Sequence, residues 1–164
     1  MYEMAGMAGF FGAHGIWSVS DGETLVPLLG HEYADGRKGM ERLVHEDLDD
    51  AVKAGQAALE AGQEGWVRAV LVADAYLHLE AGRFDALIVN AVEYLPERWS
   101  LQMAIPYRPE SSPDGFAVYR PKFIDVVGVD EPDFAALADA FFAGVDSHEQ
   151  AAATWDAHLI DESV

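Results

Sequence analysis

Three residues in the stretch 66–94, WVRAVLVADAYLHLEAGRFDALIVNAVEY, have the types and spacing for acid-base chemistry: Asp74, His78 and Asp85. If a tight turn at Ala81-Gly82 joins two strands with Glu80 opposite Arg83, His78 stands across from Asp85. It is then two residues along the strand from Tyr76 and four from Asp74. A carboxylate facing an imidazole raises its pKa and fixes its tautomer, which a general acid or base requires. In that version His78 is the acid or base, Asp85 orients it, and Asp74 binds substrate or a divalent metal. The competing reading is structural. Charges alternating along the outer face of a sheet are ordinary solubilising cross-strand pairs, and no nucleophile accompanies these three.

Two triplets, Tyr107-Arg108-Pro109 and Tyr119-Arg120-Pro121, flank a hairpin, so Arg108 and Arg120, with Tyr107 and Tyr119, form a candidate site for a carboxylate or phosphate. Alternatively each proline ends a strand and each arginine pairs with a nearby acid. HEDLDD places His45 and Asp49 at i, i+4, but lacks the second histidine of HExxH and reads as the solvated face of a helix. The glycines of AGMAGFFGAHG lack the lysine of a phosphate loop; close backbone packing explains them better. No metal site and no cofactor is assigned.

These residues need a sheet to hold them. The proposed register sorts the hairpin into an apolar face (Ala69, Leu71, Ala73, Leu77, Phe84, Ile88, Val92) and a polar one. Slipping one strand by a single residue would mix the two. The polar face carries Arg68, Asp74, His78, Asp85 and Glu93, yet also Val70, Val72, Leu87 and Val89. Full exposure of those four is unusual for a monomer, which points to a partner subunit on that side.

Around this centre the patterns predict an α+β protein in the order ββαββββαα, with a mainly antiparallel sheet of about six strands and helices packed on one face. Asp21-Gly22 predicts a first hairpin over 16–29, with residues 34–39 as a loop. A helical stripe over 40–61 ends at Gly62. Strands follow over 99–107, 116–119 and 123–127. Asp130 and Pro132 open a third helical stretch, and Ser147 with Gln150 starts another. Residues 1–9 read as a loosely ordered leader and 161–164 as a frayed tail. The whole is a single domain.

Twenty-nine acidic against ten basic side chains give a formal net charge of −19. Such a surface disfavours nucleic acid and anionic membranes, which draw their affinity from Lys and Arg. The absence of cysteine excludes disulfides, thiolate nucleophiles and Cys-ligated metal. The charge-free run after Glu3 lacks a basic n-region and is broken by glycines, so it reads neither as a signal peptide nor as a membrane span; a cytoplasmic location is expected. The expected function is a non-catalytic binding module acting as a homodimer, which takes a basic protein partner or a small ligand. The alternatives are a small hydrolase-like enzyme on the outer hairpin face and an acidic inhibitor or immunity-type protein that captures a basic partner.

Overall fold

A computed structural model of the chain describes residues 2–164. The elements are α1 (Glu3–Val19), β1 (Leu28–Tyr33), β2 (Lys38–Arg42), α2 (Leu48–Ala61), β3 (Trp66–Leu79), β4 (Gly82–Glu93), β5 (Trp99–Arg108), β6 (Ala117–Val118), β7 (Lys122–Val127), α3 (Phe134–Ser147) and α4 (Glu149–His158). The strands form one antiparallel sheet in the order β2-β1-β3-β4-β5-β6, with β7 also pairing β5. The class is α+β, as expected, with seven strands.

The chain opens with a helix and not with a hairpin. Ile16 and Val19, expected on a strand, belong to α1, and so do residues 3–9, where Met4 and Ala5 are fully buried. Met1, the first residue of the expected leader, lies outside the described residues. The short alternation in IWSVS lost to burial: a charge-free segment gains more by lying between a sheet and a second helix than by pairing at an edge. Asp21-Gly22 still turns the chain, with Gly22 at positive φ, but it ends a helix. The true first hairpin is β1–β2, closed through residues 34–37 inside the predicted loop. The helix expected from Met40 therefore begins at Leu48, where the Asp47 carboxylate accepts the Asp49 N–H at 2.7 Å. Gly62 does end it, at φ 68°.

The central hairpin forms with a register two residues away from the expected one. Leu79 pairs with Gly82, so His78 stands opposite Arg83, Tyr76 opposite Asp85, Asp74 opposite Leu87 and Val72 opposite Val89. Glu80 and Ala81 make the turn, while Gly82, at φ 122°, uses its conformational freedom as the first residue of the returning strand. A slip of two leaves every side chain on its expected face.

Consecutive strand residues point to opposite faces, and this separates the helices. Ideal Cβ atoms on Gly12 and Gly15 of α1 would meet Ile105, Val89, Leu87 and Val72, whereas one on Gly55 of α2 would meet Leu71. Thus α1 covers the face carrying Val72 and α2 the reverse. Leu137, Phe141 and Val145 of α3 and Ala151 and Trp155 of α4 join α1 in the main core. Val70, Val72, Leu87 and Val89 are all completely buried in that core, so their cover is the chain's own first helix and not a partner subunit. The glycines of α1 do serve close packing: Gly9 lies against the Phe141 carbonyl and Gly144 of α3 against that of Gly6. Asp133, not Asp130, caps α3, and His148 caps α4 in place of the expected Ser147.

Candidate functional site

On the α1 face the ladder registers build rows across the sheet. One row reads Glu32, Arg68, Glu93, Trp99 over β1, β3, β4 and β5. Three rows inward, Asp74 lies beside Leu87 and Ile105, and the next row sets Tyr76, Asp85 and Tyr107 side by side. The rows between are aliphatic. A helix of 17 residues is about 25 Å long, whereas a 14-residue strand runs about 46 Å. One helix therefore fills the middle of the face and leaves a polar cleft at each end.

At the end near Val19 the cleft is about 340 Å³, and Asp74, Asp85, Tyr76, Tyr107 and Glu23 are among its lining. Tyr107 donates its hydroxyl to both oxygens of Asp74, at 2.8 and 2.9 Å. Burial pushes the Asp74 carboxyl above the ordinary carboxylate range; the Tyr107 bond opposes this shift, and the Asp85 charge adds to it. Burial and the neighbouring Asp74 raise the Tyr107 phenol far enough that it remains the donor. Two of the three residues singled out for acid-base work thus share a cleft. His78 does not join them: it is exposed at the hairpin tip, opposite Arg83, and is absent from the lining. The Arg83 guanidinium lies 4.4 Å over the Tyr76 ring, which carries that cation on its π-face.

The four residues of the candidate anion site go different ways. Arg108 donates to the carbonyls of Gly115 and Asp114 at 2.8 and 3.1 Å, tying the loop after β5. Arg120 holds Asp161 in the C-terminal segment, at 3.1 Å from Nη2 to Oδ1. Tyr119 packs edge-on against Phe84, and Tyr107 belongs to the Asp74 cleft. His45 is exposed outside α2, so its helical spacing from Asp49 is not realised.

The cleft at the other end, about 790 Å³, escaped the sequence reading. Arg68 forms its floor, donating from Nε and Nη2 to the two oxygens of Glu93 at 2.9 and 3.1 Å and from Nη1 to Glu32 at 2.8 Å. Only 7% of the Glu93 side chain and 14% of that of Arg68 are exposed. Its bonds to Glu93 hold the Arg68 guanidinium more firmly protonated than an ordinary arginine. Tyr33, Val67, Leu95, Trp99 and Val129 line the walls. The signal lay in β3, whose polar-face positions read Arg68, Val70, Val72, Asp74, Tyr76, His78: polar at both ends and aliphatic where a helix crosses.

Among the described residues no group of three or more His, Asp or Glu converges as a metal site would require, and no helix is long and apolar enough to cross a membrane. No protein-family model matches the chain, and no curated protein or solved structure is significantly similar to it.

Proposed function

We propose that the protein is a non-catalytic binding module, and that its ligand is a small molecule with an apolar body and a protonated amine, seated over the Arg68 row. The observation that carries this reading is the make-up of the larger cleft. It has the volume of a ligand pocket, apolar walls and a floor on which one guanidinium faces two carboxylates. Arg68 neutralises only one of Glu32 and Glu93, so the floor keeps a negative charge and selects a cation over an anion. Trp99, at the end of the charged row, reports occupancy. Titration with n-octylamine, n-octanol and octanoate, followed by tryptophan fluorescence with Trp99→Phe as control, tests it. Saturable binding of the amine, weaker binding of the alcohol and none of the acid is expected. No saturable amine binding, or tighter binding of octanoate, defeats the proposal.

A second reading has its own support at the opposite end. A carboxyl whose pKa burial raises, beside another carboxylate, is the arrangement from which a proton donor and an ionised partner are made. In that version Asp74 is the acid and Asp85 the base, without His78. Turnover of nitrophenyl esters, phosphates or glycosides that Asp74→Asn abolishes would favour it.

The homodimer enters this proposal through the reverse face, where Leu77, Leu79, Phe84 and Ile88 are only partly covered and stand outside the cluster that Leu59 of α2 joins. Light scattering at high micromolar concentration tests it; a monomer there removes the dimer and leaves the ligand proposal standing.

A further inference from the structure

His148 is buried at the junction of α3 and α4, and its ring makes two hydrogen bonds whose directions can be assigned. The Ala151 backbone N–H donates to His148 Nδ1 at 3.2 Å as the N-terminal cap of α4. A backbone N–H only donates, so Nδ1 carries no proton and the neutral ring is protonated on Nε2. That Nε2 lies 2.9 Å from His14 Nδ1 on α1. His148 therefore donates to His14, and His14 in turn carries its proton on Nε2. One backbone donor fixes the tautomers of both rings.

Neither ring can take a second proton in this arrangement. On His148 it would go to Nδ1 and displace the Ala151 bond; on His14 it would set an N–H against an N–H. We propose that His14 and His148 form a pH latch, in which the neutral pair ties α1 to the first turn of α4 and protonation of either ring frees that turn. The rings around the pair are Phe10 and Trp17, with centroids 5.0 and 5.6 Å from that of His148. Arg42, Asp21 and Glu23 line the cleft that His14 borders, and Asp146 of α3 and Glu149 of α4 lie within two residues of His148 in the chain. Burial, then the His148 and Arg42 charges, depress His14 below its ordinary 6.5. The unfolded chain therefore binds more protons than the native one just below that value. The stability the latch contributes is full above 6.5 and falls as pH drops through it.

Two measurements on the full chain test the latch. At pH 7.5, long-range 1H–15N spectra should show both rings protonated on Nε2; a proton on Nδ1 of either overturns the assignment. Amide exchange, corrected for intrinsic rates, should show α4 losing at least tenfold protection relative to α2 between pH 7.5 and 5. His148→Asn, whose side-chain oxygen caps without titrating, should hold α4 protected at pH 5. Unchanged protection of the wild-type helix, or an equal loss in His148→Asn, overturns the proposal. If that variant fails to fold, the wild-type spectra and exchange still decide.

Discussion

The Tyr107 hydroxyl bridges the two carboxylate oxygens of Asp74, yet the carboxylate it supports is destabilised where it stands. Because burial raises the native pKa above the ordinary 3.8, the native state holds more protons than the unfolded one between those values. Stability is consequently lost as pH rises through that window and stays lost at neutral pH. Asp74→Asn keeps an oxygen for Tyr107 and removes the charge. It should raise the melting temperature at pH 7, by about 2–4 °C for each ~1 kcal/mol recovered. The gain should shrink as pH falls through the raised native value, where folded wild-type Asp74 protonates, and be gone below the ordinary 3.8. A variant that melts lower than wild type at pH 7 would mean that the ionised carboxylate is better solvated than its burial implies.

Asp85 and His78 should separate in the titration of Asp74. Asp85 lies one row from Asp74 and its charge contributes to the raised pKa, whereas His78 stands at the tip opposite Arg83. Carboxyl 13C titration should show the Asp74 midpoint moving down in Asp85→Asn and staying in place in His78→Ala. Movement in His78→Ala would restore the histidine to the site.

Arg68 is the cation whose loss should cost most. Removing one partner of a buried pair leaves the other charged and unpaired, at about 3–5 kcal/mol. Glu93 is nearly fully covered, so Arg68→Ala should fall in that range in urea unfolding. Glu32→Gln keeps an acceptor for Nη1 and leaves the Glu93 fork intact, so it should cost about 1 kcal/mol. A loss below ~1 kcal/mol in Arg68→Ala would show that water reaches Glu93 through the cleft.

How much of this was legible follows from period. Alternation sorts faces, so the central hairpin, the strand from Trp99 and the face of each side chain on those strands could be read from the chain. A two-residue slip leaves alternation intact, and for that reason alone His78 could be set against Asp85 when it faces Arg83. Val70, Val72, Leu87 and Val89 were legible as residues needing cover. What covers them was not, because α1 carries glycine at every third position and apolar residues all round, and so shows no stripe. With that helix hidden, the reason the face is polar only at its ends was hidden too. Contacts between distant segments, such as Tyr107 with Asp74 or His14 with His148, have no local signature.

The glycines of α1 should differ sharply although each sits in a helix. Replacing glycine by alanine in a helix gains about 0.5–1 kcal/mol where there is room. A Cβ on Gly6 would sit 3.5 Å from the Ala140 carbonyl, an ordinary contact, so Gly6→Ala should be neutral or stabilising. A Cβ on Gly9 would sit 1.8 Å from the Phe141 oxygen, and one on Gly144 at 1.8 Å from that of Gly6. Backbone atoms cannot turn aside as a flexible side chain can, so α1 and α3 must separate. Gly9→Ala and Gly144→Ala should each lose at least ~1–3 kcal/mol in urea unfolding. Because both open the same crossing, the double variant should cost less than their sum. Equal stability of Gly6→Ala and Gly9→Ala would mean that the two helices do not cross at these glycines.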